Sequence, residues 1–135
     1  MVIYALDASA LLRFMDKETG TEQVRLILDG LLSGEHRVLV CALHWGEVAG
    51  NLYRKKGPEV QRQVMERFSY LGLEFIPATP ERAIRAAILK AKLKIPYVDA
   101  FGIELAENVP CTFVTADYDL KPAANRAEII FLPKK

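Results

Sequence analysis

Apolar positions along the chain fall into two kinds of run. Segments 2–6 (V-I-Y-A-L), 38–42, 73–76, 111–115 and 128–132 are short and dominated by apolar, often β-branched residues. Runs of that length and composition predict buried strands. The longer segments between them repeat apolar residues at spacings of three and four. That period predicts helices over 9–15, 21–34, 43–56, 59–71, 80–93 and 97–108. Breakers separate these segments: Gly20, the pair Gly57-Pro58, Gly72 as a helix C-cap, Pro96 and Pro110.

Strands alternating with helices, each strand continuously apolar, predict a sheet buried on both faces. The expected fold is α/β: one domain over residues 1–135, with a central, mostly parallel five-stranded sheet flanked by helices on both faces. In open sheets of this kind, sites form beyond the carboxyl ends of the strands. Composition agrees, with 51% hydrophobic and 26% charged residues in a chain of 135. The net charge of +1 supplies no global field toward nucleic acid, so any such binding needs a local basic patch. Cys41 and Cys111 both lie in apolar runs and are expected as buried free thiols in a reducing compartment. No stretch approaches the roughly 18 apolar residues of a membrane span, and the N-terminus lacks the pattern of a secretion signal. The expected location is cytoplasmic.

Two of the strands end in acids. Asp7 closes V-I-Y-A-L-D-A-S, while Asp117 and Asp119 follow C-T-F-V-T-A-D-Y-D-L. Asp99 lies early in the helix over 97–108. At about 100° per residue it falls inside the broad apolar arc, between Ala106 and Ile103, and Glu104 and Glu107 fall outside. Glu47 sits in the first turns of the helix after the second strand, between Gly46 and Gly50, which leave room for another group to approach. Carboxylates gathered at one sheet edge repel one another, and a hard divalent cation such as Mg²⁺ or Mn²⁺ resolves that repulsion. Such a centre hydrolyses phosphodiesters. The chain offers no Ser-His-Asp or Cys-His set; His36 and His44 are its only histidines, and His44 reads as structural.

Each acid also has an ordinary role open to it. Asp7 or Ser9 can cap a helix. Asp117 and Asp119 can be turn residues, Asp99 can favour its helix dipole, and Glu47 can be a surface residue. Two other acid-pocket α/β classes fit less well. Haloacid-dehalogenase phosphotransferases need a second acid where Ser9 stands, and response-regulator receivers need adjacent acids after the first strand.

The ordered set V-I-Y-A-L-D-A-S, A-L-H-W-G-E-V, I-P-Y-V-D-A-F-G-I-E-L-A and F-V-T-A-D-Y-D-L resembles PIN-domain proteins of the VapC type, the toxin ribonucleases of toxin–antitoxin pairs. It spans essentially the whole chain. The resemblance implies a single PIN-like domain and an Mg²⁺- or Mn²⁺-dependent endoribonuclease. Asp7, Asp99, Asp117 and Glu47 match the family's acidic positions; Ser9 and Thr115 match its supporting hydroxyls. Asp119 is an extra carboxylate of open role. The resemblance also implies an RNA substrate, a small VapB-type antitoxin and a homodimer. A non-catalytic PIN-like module that docks RNA or protein is the alternative. Candidate phosphate contacts are Arg13, Arg54, Lys55 and Lys56, with Lys90, Lys92 and Lys94 ahead of the Asp99 helix. The helix over 21–34 carries more apolar residues than one stripe needs, and either the core or a partner can cover the excess.

Overall fold

The structure is a computed structural model describing residues 1–135. Its elements run β1 (Val2–Leu6), α1 (Ala8–Met15), α2 (Thr21–Leu32), β2 (His36–Cys41), α3 (Ala42–Lys56), α4 (Pro58–Ser69), β3 (Glu74–Ile76), α5 (Pro80–Leu93), α6 (Tyr97–Asn108), β4 (Thr112–Thr115) and β5 (Glu128–Phe131). Every strand pairing is parallel, and the sheet order is β3-β2-β1-β4-β5. The order reverses between β1 and β4, where Tyr4 stands opposite Thr112 and Leu6 opposite Val114. A crevice opens at the carboxyl ends of strands at such a reversal.

Alternation along the strands divides the core in two. Ala5, Leu39, Cys41 and Phe113 pack on one face with α5 and α6. Leu6, Val38, Val40 and Val114 pack on the other with residues of α1, α2 and α3. Successive side chains of a strand point to opposite faces, so a continuously apolar strand feeds both halves. No helix is long and apolar enough to cross a membrane.

Most elements lie within two residues of their expected ends; β2 starts earlier, at His36, and α3 takes Ala42. One element was not expected, a 3-10 helix over Tyr118–Ala123. The Asp117 side chain starts it by accepting the Asp119 N–H, and Pro122 interrupts regular helical bonding. Both cysteines are free; Cys41 is buried, whereas Cys111 lies just ahead of β4 and is only half-buried. On α2, Val24, Ile27 and Leu28 are buried in the core, and Leu26 and Leu32 stay 57% and 64% exposed. The helix therefore has a core face and a second, uncovered apolar face.

Glu104 corrects the helical-arc reading. It is fully buried, although the arc placed it outside. Helix α6 lies between the sheet and α5, so its outer side is covered as well. There Arg82 and Arg85 of α5 each donate to Glu104 at 2.8 Å, and Asn108 adds a bond at 3.2 Å. A buried carboxylate is tolerated when its oxygens are paired and bonded in this way.

That cluster generates an ordered prediction. Glu104→Gln keeps the volume but loses the charged bonds, at a cost of about 2 kcal/mol. The double variant Arg82→Met, Arg85→Met strands a buried carboxylate and costs more, about 3–5 kcal/mol. Urea unfolding of both measures the order; a Glu104→Gln loss larger than the double variant's contradicts it.

Candidate active site

Asp7 is the first residue beyond β1 and caps α1. Its Oδ1 accepts the Ala10 N–H at 3.0 Å and the Ser9 hydroxyl at 2.6 Å. The hydroxyl of Thr115, the last residue of β4, donates to Oδ2 at 2.5 Å. Each hydroxyl has one proton, and both protons point to Asp7. The same oxygens then accept from the backbone: Ser9 Oγ from the Ala116 N–H at 2.8 Å, Thr115 Oγ1 from the Asp117 N–H at 3.0 Å. One carboxylate thus joins the end of β1, the start of α1 and the turn after β4. It is buried, as is Thr115.

Two contacts bring in the other acids. Gly102 lets α6 press on β4; a Cβ there would lie 2.5 Å from Phe113 Cζ. Asp99, in the first turn of α6, is thereby held beside Asp117. Buried His44 of α3 bonds through Nε2 to the Val98 carbonyl at 3.0 Å. A carbonyl only accepts, so Nε2 carries the hydrogen. This bond ties the helix of Glu47 to that of Asp99, so His44 is structural, as expected.

Asp7, Glu47, Asp99 and Asp117 line one cavity of about 520 Å³, together with Ser9, Asn51 and Arg54. Burial pushes the Asp99 carboxyl up to about 8, aided by its hydrogen bond with Asp117 and the charges of Asp117, Asp7 and Glu47. Burial also raises Glu47; His44 opposes the shift, and Asp7 and Asp117 add to it. Asp99 therefore senses the other three acids, and Glu47 senses Asp7 and Asp117. All the donors are hard oxygens, the kind that Mg²⁺ or Mn²⁺ takes. No three of the acids already converge on a point that could hold an ion. Asp99 and Asp117 lie side by side, and an arriving cation would offset their mutual repulsion.

The remaining candidates scatter. Asp119 is exposed and outside the cavity lining; it serves Asp117 through its backbone N–H, at 2.9 Å. Arg13 is corrected as a phosphate contact. It is buried, and its Nη1 donates to the carbonyls of Thr19 at 2.5 Å and Pro133 at 2.8 Å, which fastens the C-terminal segment. Lys55 lines a small adjoining cavity, and Lys56 an apolar groove on another side. Lys90, Lys92 and Lys94 are outside the acidic cavity. Asn51 escaped the sequence reading, yet it stands four residues after Glu47 on the same helical face, a spacing that could have found it.

The sequence matches the family model for the PIN domain over residues 4–126. No curated protein matches it. Several solved structures share the fold. A chain of VapBC2 from Rickettsia felis, solved on a DNA fragment from its promoter, superposes with a TM-score of 0.75 at 18% identity, covering 98% of this chain and 100% of that one. A chain of DNA-bound VapBC from Salmonella typhimurium gives 0.71 at 19%, covering 97% of each. VapC20 from Mycobacterium tuberculosis, a Sarcin-Ricin loop cleaving toxin, gives 0.66 at 12%, covering 92% of this chain and 95% of its own. The family model spans nearly all of the acid-bearing core, and the chain belongs to the PIN-domain family.

Proposed function

We propose that the protein is a metal-dependent endoribonuclease, the toxin of a VapBC-type pair, acting in the cytoplasm. The observation that carries this reading is that four carboxylates line one cavity at the β1/β4 reversal, with Asp99 pushed up to about 8. Groups so perturbed cluster at functional sites. A non-catalytic module has no use for four acids held against their mutual repulsion. The relatives of shared fold, among them a Sarcin-Ricin loop cleaving toxin, support the substrate class.

Asp7, Asp99 and Asp117 are the ligands for Mg²⁺ or Mn²⁺, with Glu47 acting through water or at a second ion. A bound ion supplies charge neutralisation and an activated attacking water. Ser9 and Thr115 fix Asp7 so that its oxygens need no reorientation. Asp99 must give up its proton before it can act as a ligand. Glu47, whose proton affinity is raised by burial, is placed to accept a proton from the attacking water.

The antitoxin reading draws on a second feature. An apolar groove of about 570 Å³ lies between the α1/α2 and α3/α4 pairs, lined by Phe14, Met15, Val60, Val64 and Phe68. It suits an amphipathic segment of a VapB-type partner. The VapBC structures of shared fold support such a partner.

Purified protein should cleave pooled cellular RNA with Mg²⁺ or Mn²⁺, and EDTA or Asp99→Asn should abolish the activity. Metal-loaded, folded protein that leaves all RNA intact would count against the nuclease. The pH dependence follows from Asp99, whose ordinary value is 3.8. Between about pH 4 and about pH 8 the folded state holds a proton that the unfolded chain has released, so metal-free stability falls as pH rises. Melting temperature without metal should therefore drop from about pH 5 to about pH 8, and Asp99→Asn should flatten the slope. Apparent Mn²⁺ affinity, read by calorimetry, should rise over the same window as the competing proton leaves. For the groove, Val60→Arg should weaken binding of a VapB-type antitoxin about tenfold or more, measured by calorimetry on the purified pair.

A further inference from the structure

The cavity wall contributed by α3 is a stripe. Glu47, Gly50, Asn51 and Arg54 all line the cavity, at spacings of three and four that stack side chains on one helical face. The stripe changes character along its length. It begins with an acid, passes a glycine and an amide, and ends in a guanidinium. From Glu47 to Arg54 it covers about 10 Å of helix axis.

Arg54 stands apart from the other arginines. Arg25, Arg37, Arg62, Arg82, Arg85 and Arg126 each pair with a carboxylate, and Arg13 holds two carbonyls. Only Arg54 and Arg67 are uncommitted, and Arg67 lines the apolar groove. Four acids share Arg54's cavity, yet it forms an ion pair with none of them. It is not among the charges that shift Glu47 or Asp99 either. Neutralising the acids is therefore not its role. Asn51 likewise makes no side-chain hydrogen bond within the chain, and the space over Gly50, between Glu47 and Arg54 on this face, is open: a Cβ there would meet nothing within 4 Å.

The space continues past Arg54. Ser9 and Leu12 line both the acidic cavity and a smaller one of about 210 Å³, whose wall carries Lys55; there Lys135 pairs with Glu18, and Arg13 and Asp16 complete the polar lining. A guanidinium and an amide at the far end of an acidic cavity, followed by the unpaired ammonium group of Lys55, suit a ligand with a repeating anionic backbone. Charge also changes along this path, from the four acids, where a cation can offset charge, to the unpaired Arg54 and Lys55.

We propose that single-stranded RNA runs along α3, with Asn51 and Arg54 holding the phosphate next to the one cleaved and Lys55 meeting the strand beyond. Asn51 and Arg54 are positioning residues: they hold the backbone without reading bases and take no part in bond breaking. This rests on the nuclease reading and adds the direction of the strand to it.

The test measures cleavage of a labelled single-stranded RNA oligonucleotide by wild type, Arg54→Gln, Asn51→Ala and the charge-matched control Arg37→Gln, at the opposite end of the sheet. Arg54→Gln should raise KM about tenfold and leave kcat within about threefold, because a phosphate contact shared by ground and transition states is uniform binding. Asn51→Ala should do the same to a lesser degree, and Arg54→Lys should recover part of the loss. In an Asp99→Asn background, RNA binding followed by fluorescence anisotropy should weaken with Arg54→Gln. The slope of log affinity against log salt should fall by about one. Arg37→Gln should leave KM and the slope unchanged. Exposed Arg54 has no packing role, so its variants fold, and melting curves check this. If wild type cleaves and Arg54→Gln matches it in KM and salt slope, the α3 path is wrong and the nuclease stands. If wild type neither binds nor cleaves RNA, both fall.

Discussion

The bond from Thr115 to Asp7 is the constraint on which the site depends. At 2.5 Å, buried, it crosses from the end of β4 to the end of β1, the two strands between which the sheet reverses. A parallel sheet cannot place two strand ends side by side without leaving backbone groups and polar side chains there unpaired. Here those groups satisfy one another. The Ala116 and Asp117 N–H groups bind the two hydroxyls, and the hydroxyls bind Asp7. The turn after β4 is thus shaped by the residue that ends β1, and Asp117 is delivered to the cavity as part of the same closure.

Helix α6 carries one buried and one half-buried carboxylate, held by opposite means. Glu104 faces α5 and meets two arginines. Asp99, five residues earlier, faces the cavity and meets another acid, at the cost of a raised proton affinity. The first arrangement is complete without a ligand and holds two helices together. The second is incomplete by design of its charges and gains most from a cation. Two acids on one helix are in this way sorted into a structural and a reactive role by what faces them, not by their own chemistry.

Part of this was legible in the chain alone. Short apolar runs marked all five strands, and helical periodicity marked all six α-helices, because burial on both sheet faces removes polar residues from the strands. Asp7, Asp99 and Asp117 stood out as acids where apolar runs end or where an inward face should be apolar. Glu104 was misjudged because periodicity assumes that a helix has one covered face, but α6 is covered twice. Arg13 was placed by its nearness to Asp7 in the chain, and the returning C-terminal segment covers it. The helix over Tyr118–Ala123 escaped because its start is set by a side-chain bond from a residue that the cavity positions.

Sequence by itself determined the number and kind of elements, the parallel sheet and the acids that close its strands, since these follow from local spacing and hydrophobicity. Only the tertiary structure decided which acids meet. The approach of α6 to β4 at Gly102 and the His44 bond to Val98 are contacts between residues far apart in the chain. Electrostatic coupling depends on distance through space, and that distance is fixed by packing rather than by spacing along the chain.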